Sequence, residues 1–575
     1  MQHLVYFLAK RIAAFFFISL LAILCFASCS DDKDDPGDVP KIQLNPASAT
    51  AVPGSEVTTT LTMNASEGLS KLILNSNGVM DTLASYVKEQ SATYVFKTIV
   101  PAAAPANSNY TYIFTALDAL NRSSDPVVFT VTVSKIPPKE IVNVSGEITG
   151  NVTWSKNKIW RMQGMVKVMD NAILTIEPGT TVIGEYSSKG SLLIQQGGKL
   201  IADGSAQQPI VFTSEKERGQ REAGDWGGIV ICGRAINNQG SNIELEGGYG
   251  AFHGGSIAND NSGILRYVRI EFAGAVLSNN QEKNALTLAS VGNGTTIEYV
   301  QCSYALDDSF EWFGGNVNAR YLISYHCQDD DFDVDYGYSG NVQFAFALRG
   351  SSEADNSHSN GIEADNDGAG TSLTPITAAV FANVTIIGPK KTAETYISPY
   401  FHHAFHLRRN SAVSIYNSFA TGFPIGLFID DSKAGSSQQA MKGNLQIRNL
   451  ILAGVENWGD NNWGGNSNNT NGPLKQVNAS VAPGFEINTW YNTASYKNQL
   501  LLKWQDANIN PAIFEVPVPT SGLLLNAADW SNTPKAGTFF EKVNFAGAIG
   551  EENWPSLWCD WTPNAISSYL EIKAN

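Results

Sequence analysis

The sequence predicts an all-β chain: an N-terminal immunoglobulin-like β-sandwich followed by a right-handed parallel β-helix with an aromatic-rich C-terminal capping region. Three observations lead there. Apolar residues alternate with period two across residues 41–134. From about residue 141, short apolar triplets recur, each closed by Gly or Asn. These units align with one another at offsets of 22, 32 and 34 residues, the mark of a solenoid. No long segment carries helical periodicity.

Taken in order, Lys10 and Arg11 precede an apolar run from Ile12 to Phe26, closed by Ala27-Ser28-Cys29. This reads as a lipoprotein signal peptide over 1–28 with Cys29 as the lipidated residue. The run is short for a membrane span; an ordinary secretory signal peptide is the alternative. Asp31, Asp32, Asp34 and Asp35 follow directly, and residues 29–40, with Pro36, Gly37 and Pro40, read as an acidic tether. A lipobox followed by an acidic patch resembles the surface lipoproteins of the Bacteroidota. The resemblance implies a lipid anchor in the outer membrane, with the protein facing the cell exterior.

A chain of 575 residues is too long for one small core. Its formal charge of −16 becomes −18 once residues 1–28, with two cations and no acid, are removed. So acidic a chain lacks the basic stripe that nucleic acid or anionic lipid requires; cations, glycans or an outer-membrane protein are compatible partners. Beyond Cys25 and Cys29, the remaining Cys232, Cys302, Cys327 and Cys559 are widely spaced with no CxxC pair. They read as small buried residues rather than a zinc site, and their disulfide state stays open.

Within 41–134, Val57, Thr59, Leu61 and Met63 alternate with Thr58, Thr60 and Thr62, as do Tyr110, Tyr112, Phe114 and Ala116 with their neighbours, and Phe129, Val131 and Val133 with theirs. Antiparallel strands with one buried face are expected, in a unit of immunoglobulin-like size. Residues 135–139 form a Pro-containing linker.

The β-helix is assigned to 141–455. Tyr267–Gly274 aligns with Tyr299–Tyr304 at an offset of 32, and Asp307–Glu311 with Asp329–Asp333 at 22. Asn383, Asn417 and Asn449 open an Asn-x4-Gly frame spaced 34 and 32 apart. Gly and Asn suit the left-handed backbone of tight corners. The runs LTIEPGTTVIG, GSLLIQQGGKLIADGSAQQPIVFTS and DWGGIVICGRA, with DDSFEWFGG, DDDFDVDYGYSG, GIEADNDG and FFEKVNFAGAIGEENW, resemble the surface β-helix lipoproteins and secreted proteins of the Bacteroidota. The resemblance implies the fold and little about a reaction, since most members have none assigned.

Residues 456–575 depart from the repeat and hold Trp458, Trp463, Trp490, Trp504, Trp530, Trp554, Trp558 and Trp561. They are expected to cap the open end of the solenoid, or alternatively to stack sugar rings.

Carboxylates concentrate at Asp307, Asp308, Glu311, then Asp329, Asp330, Asp331, Asp333, Asp335, then Glu363, Asp365 and Asp367. Equivalent acids in adjacent coils would lie about 5 Å apart, so a calcium ion on Asp308, Asp330, Asp331 and Asp333 is one candidate. The spacing is not an EF-hand, because Tyr336 and Val342 occupy its glycine and glutamate positions. Apart from calcium, no cofactor is expected. β-Helix glycosidases that cleave pectin place acids on successive coils, then His, then Arg-x-Lys. The resemblance implies Asp308, Asp330, His358 and Arg408 as catalytic candidates, although Asn410 stands where Lys is expected. His402, His403 and His406 form a further group; on a regular strand His402 and His406 share a face and His403 opposes them. Three functions stay open: a non-catalytic surface protein that binds a glycan or macromolecule, a polysaccharide hydrolase or lyase, and a structural or adhesive protein.

Overall fold

The computed structural model describes residues 37–101, 104–134, 139–275, 283–392, 394–454, 473–477 and 482–565. Residues 1–28, Cys29, the tether up to residue 36, Trp458 and Trp463 lie outside the described residues. The chain divides into two compact units at Pro137–Pro138.

The first unit is a two-sheet sandwich. A three-stranded sheet faces a five-stranded one, and Leu61, Met63, Leu72, Phe114, Phe129 and Val131 fill the space between them. Strand Glu56–Asn64 shows why: Val57, Thr59, Leu61 and Met63 turn inward while Glu56, Thr58 and Thr62 face water, as period-two alternation requires.

The second unit is a parallel β-helix. Its strands pair in parallel from coil to coil, beginning with Glu140–Ile148 against Lys158–Val168. The repeat offsets are coil lengths. Phe310 pairs with Phe332, Val268 with Val300, and Val380 with Ser414. One interior row runs Leu192, Ile229, Leu286, Phe310, Phe332, Ile362, Phe405, Leu427, Leu474, all fully buried except Leu474 at 7 % exposure. Each contributes about 1.5–3 kcal/mol by leaving water. Parallel pairing continues past residue 455 through Leu474–Val477 and Gln499–Leu501. Cys232, Cys302 and Cys327 are buried free thiols, and Cys559 is half-buried.

One corner of each coil adopts a left-handed backbone, with φ of 50–60° at Tyr267, Tyr299, Tyr321, Phe344, Asn383, Asn417 and Asn449. Asn was expected there; four aromatics were not. A bulky side chain at such φ is costly. Stacking offsets the cost: Tyr267, Tyr299, Tyr321 and Phe344 lie ring on ring at 4.4, 4.3 and 5.0 Å.

Of the C-terminal region, residues 482–491 pack against the last coils, with Phe485, Ile487 and Tyr491 in the interior core, and the residues after them do more than cap. They run back along this corner as a strap. Ala527 accepts from Asn449, and Phe545 from Asn383. Glu541 and Asp560 exchange paired hydrogen bonds with the side chains of Gln343 and Gln301. Trp554 and Trp558 meet the tyrosine stack edge-on. These tryptophans stack on the protein itself, with Trp558 only 2 % exposed.

Candidate functional site

On the face away from the strap, the outward row of consecutive strands reads Thr287, Glu311, Asp333, Glu363, His406, Phe428. The turns entering these strands supply Asp307 and Asp308, Asp329 and Asp330, Asn360, and His402 and His403. Register therefore gathers acids separated by more than fifty residues. They line a cavity of about 280 Å³ with Asn284, Phe313, Glu246 and Tyr249. Among the described residues, eight carboxylates and no Lys, Arg or His line it.

The turn residues form a ladder. Asp308 N donates to Asn284 Oδ1 (3.3 Å), Asp330 N to Asp308 Oδ1 (2.8 Å), Asn360 N to Asp330 Oδ1 (2.6 Å) and His403 N to Asn360 Oδ1 (3.3 Å). One oxygen of Asp308 and one of Asp330 thus hold the coils together, and the other is left for the cavity.

Of the sequence-derived candidates, Asp308, Asp330 and Asp333 reach the cavity and Asp331 does not. Asp331 turns into the protein, where its carboxylate pairs with Arg349 at 3.1 Å, both side chains fully buried, and accepts from Ser324 and Cys327. The calcium expectation for Asp331 is therefore corrected: its charge is already matched. Arg408 reaches the site as a counter-ion, paired with Glu363 and with Asp365 at 2.9 Å. His358 lies beside the cavity, its ring stacked 3.9 Å from His402.

The histidine expectation is also corrected. Ala404 and Phe405 are consecutive and both in the core, so the inside–outside alternation resets between them. His403 and His406 come together, their rings 4.5 Å apart. His406 bridges Glu363 (3.2 Å) and Asp430 (3.3 Å).

Electrostatics split the carboxyls. Burial, then the charge of Glu363, raises Asp330 well above the usual range. Burial and Glu363 do the same to Asp333. Burial with neighbouring acids also raises Asp308 and Glu311. Burial pushes Asp329 up to about 7, against the hydrogen bond from Ser357. Glu363 is the exception. Burial raises it too, but Arg408 and His406 outweigh that and leave it below the ordinary glutamate range. Glu363, Asp330 and Asp333 present oxygens within 4.8 Å of one another, as do Asp308, Glu311 and Asp333, and Asp307, Asp308 and Asp329.

Glu246 and Tyr249 were not singled out from the sequence. They come from the segment between strands Ile229–Cys232 and Gly263–Glu271, an insertion longer than a normal corner, and that excess length was the available signal.

Residues 146–495 match the profile of a family described as a pectate-lyase-like beta helix domain. Among solved structures, the chain is similar to the catalytic domain of a GH87 α-1,3-glucanase in complex with nigerose, at 10 % identity over 78 % of this chain and 90 % of that one, TM-score 0.27. It is also similar to pectate lyase Pel3 from Pectobacterium carotovorum, at 10 % identity over 57 % and 90 %, TM-score 0.15. A Niemann-Pick type C2 protein from Japanese carpenter ant matches at 13 % identity over 18 % and 98 %, TM-score 0.13. Such low scores say nothing about chemistry. No curated protein matches.

Proposed function

The chain belongs to the pectate-lyase-like β-helix family, and from that premise we propose that it cleaves a glycosidic bond in the carboxylate-lined cavity. One observation carries the reading. Two cross-strand neighbours, Asp333 and Glu363, hold oxygens within 4.8 Å of one another, and Glu363 is ion-paired to Arg408 and His406, which favours its ionised form and leaves the proton on Asp333. A pair of carboxyls separated in this way supplies an acid and a base from one residue type. In the proposed reaction, Asp333 gives its proton to the leaving oxygen as that bond breaks. Glu363 attacks the anomeric carbon to form a glycosyl ester. The Asp333 carboxylate then takes a proton from the water that releases the sugar. Oxygens within 4.8 Å leave little room for a water between the carboxyls, which favours retention of configuration. Arg408 and His406 are positioning residues that keep Glu363 ionised.

The lining charge favours a neutral or amino-sugar glycan over a uronate. Reducing-sugar release should be measured on neutral, amino-sugar and uronate polysaccharides, with the product anomer followed by NMR. Asp333→Asn and Glu363→Gln are expected to lower release at least about 100-fold while both variants stay folded. Full activity in both variants overturns the assignment.

A second reading rests on two carboxylate trios that share Asp333, Asp308–Glu311–Asp333 and Asp330–Asp333–Glu363: calcium held in one of them, with a uronate glycan bound and not cleaved. A chelator-sensitive Tm together with calcium-dependent binding and no release supports it. On either reading we propose a surface lipoprotein anchored through Cys29 in the outer membrane, where a glycan or an outer-membrane protein would be met.

A further inference from the structure

The cavity is walled on the side toward the start of the helix. Along the outward row, Thr287 is preceded by Val230 and Leu193, and Phe313 by Ala289 and Cys232. These apolar positions would face water on a bare solenoid. They are covered instead by Leu245, Tyr249 and Ala251 of the inserted segment, which form one buried cluster with them. The segment folds on itself through the hairpin pairing of Ile243–Glu244 with Phe252–His253.

The insertion is pinned at several points. Gly315 N donates to Ile236 O (2.8 Å), Asn237 Nδ2 to Ser290 Oγ (2.9 Å), Asn238 N to Tyr336 O (2.9 Å) and Gln196 Nε2 to Gly254 O (2.8 Å). Asn238 Nδ2 also donates to Asn366 O at 2.7 Å. The wall facing the cavity is Glu246, Gly247 and Tyr249. It is packed onto the solenoid through that shared cluster, so a sugar chain laid along the helix axis cannot continue past it.

We infer that the protein acts on chain ends, taking the terminal ring of a neutral or amino-sugar glycan against the Glu246–Tyr249 wall. The inference rests on the glycosidase reading and specifies its mode. The cavity volume of about 280 Å³ lies just below the roughly 300–1,000 Å³ typical of pockets for drug-sized ligands, enough for one or two sugar rings. A groove that bound mid-chain would have to stay open past Thr287, and here the insertion fills that path.

Two measurements on the full chain test this. The first is the product distribution from linear oligosaccharides of four to eight rings. A product of one length from the earliest time points is expected, with polymer viscosity falling slowly relative to reducing-end appearance. Replacing residues 243–253 by a short Gly-Ser turn should shift the products toward mixed lengths. Because that variant risks misfolding, Glu246→Ala serves as a second one, expected to broaden the product lengths in the same direction. The second measurement is binding to the Glu363→Gln variant: linear oligosaccharides should bind at least ten times more tightly than cyclic ones of the same sugar. Mixed-length products from the wild type, or equal binding of cyclic and linear glycans, overturns the chain-end inference and leaves the hydrolase reading standing. Neither release nor binding of any glycan overturns both.

Discussion

Asp329 shows how burial turns an ordinary turn residue into a titrating one. In the folded chain its carboxyl titrates at about 7, because burial disfavours the charge, whereas an unfolded Asp titrates near 3.9. Between those values the folded form binds more protons, so its contribution to stability is full below about pH 4 and is lost as the pH rises through 7. Asp308, Asp330, Asp333 and Glu311 shift in the same direction. His402 and His403 oppose this, since burial holds both neutral and their stability is lost as the pH falls below 6.5. Comparison with Asp329→Asn isolates the carboxyl. The variant is expected to lose less Tm than the wild type between pH 5 and 7.5, by calorimetry at matched ionic strength. Parallel curves would contradict the raised value. The residue types were legible in the sequence, and so was their clustering. That Asp331 faces Arg349 instead of the cavity was not, because its partner lies eighteen positions away, just past the end of strand Asn341–Leu348, and only the turn geometry aims it inward.

At the scale of the element, the ladder from Asn284 through Asp308, Asp330 and Asn360 to His403 explains why acids and amides interchange at one turn position. Each rung needs only a side-chain oxygen to accept the next coil's N–H. A protonated Asp and an Asn both supply it. Asp330→Asn should therefore keep the fold, while Asp330→Ala leaves the Asn360 N–H buried without an acceptor and should cost about 1–3 kcal/mol, read from urea unfolding. An Ala variant as stable as Asn would remove the structural role. One coil offset in this ladder, the 22 between Asp308 and Asp330, could be read directly from self-alignment, because stacked coils repeat their side chains; the 30 and 43 that follow were hidden by long inserted turns. The aromatic corner at Tyr267, Tyr299, Tyr321 and Phe344 could not be read either, since local preference opposes a left-handed tyrosine and only stacking between coils overrides it. The reset between Ala404 and Phe405 was hidden for the same reason: a strand period predicts His402 with His406, and core packing decided otherwise.

At the scale of the molecule, the C-terminal strap ties coils far apart in sequence. Trp558, 2 % exposed against Tyr267 and Tyr299, is its main apolar anchor there, so Trp558→Ala should cost about 3–5 kcal/mol and make the strap an early site of limited proteolysis. Unchanged proteolysis would show that the paired hydrogen bonds to Gln301 and Gln343 suffice. The proposed lipid anchor makes a separate prediction: Cys29→Ala should move the protein from the membrane fraction to the soluble one, and a variant that still sediments with membranes would refute lipidation at that residue.

The sequence by itself determined the β class, the sandwich alternation, the coil period and the acid-rich turns, because each depends on side-chain periodicity along one strand or between equal coils. Tertiary structure alone decided which acids share a cavity, which of them is held ionised, and what walls that cavity. Those depend on Arg408, His406 and Tyr249 reaching their positions from distant parts of the chain, and on burial, which sets a carboxyl's charge only once the coils have closed around it.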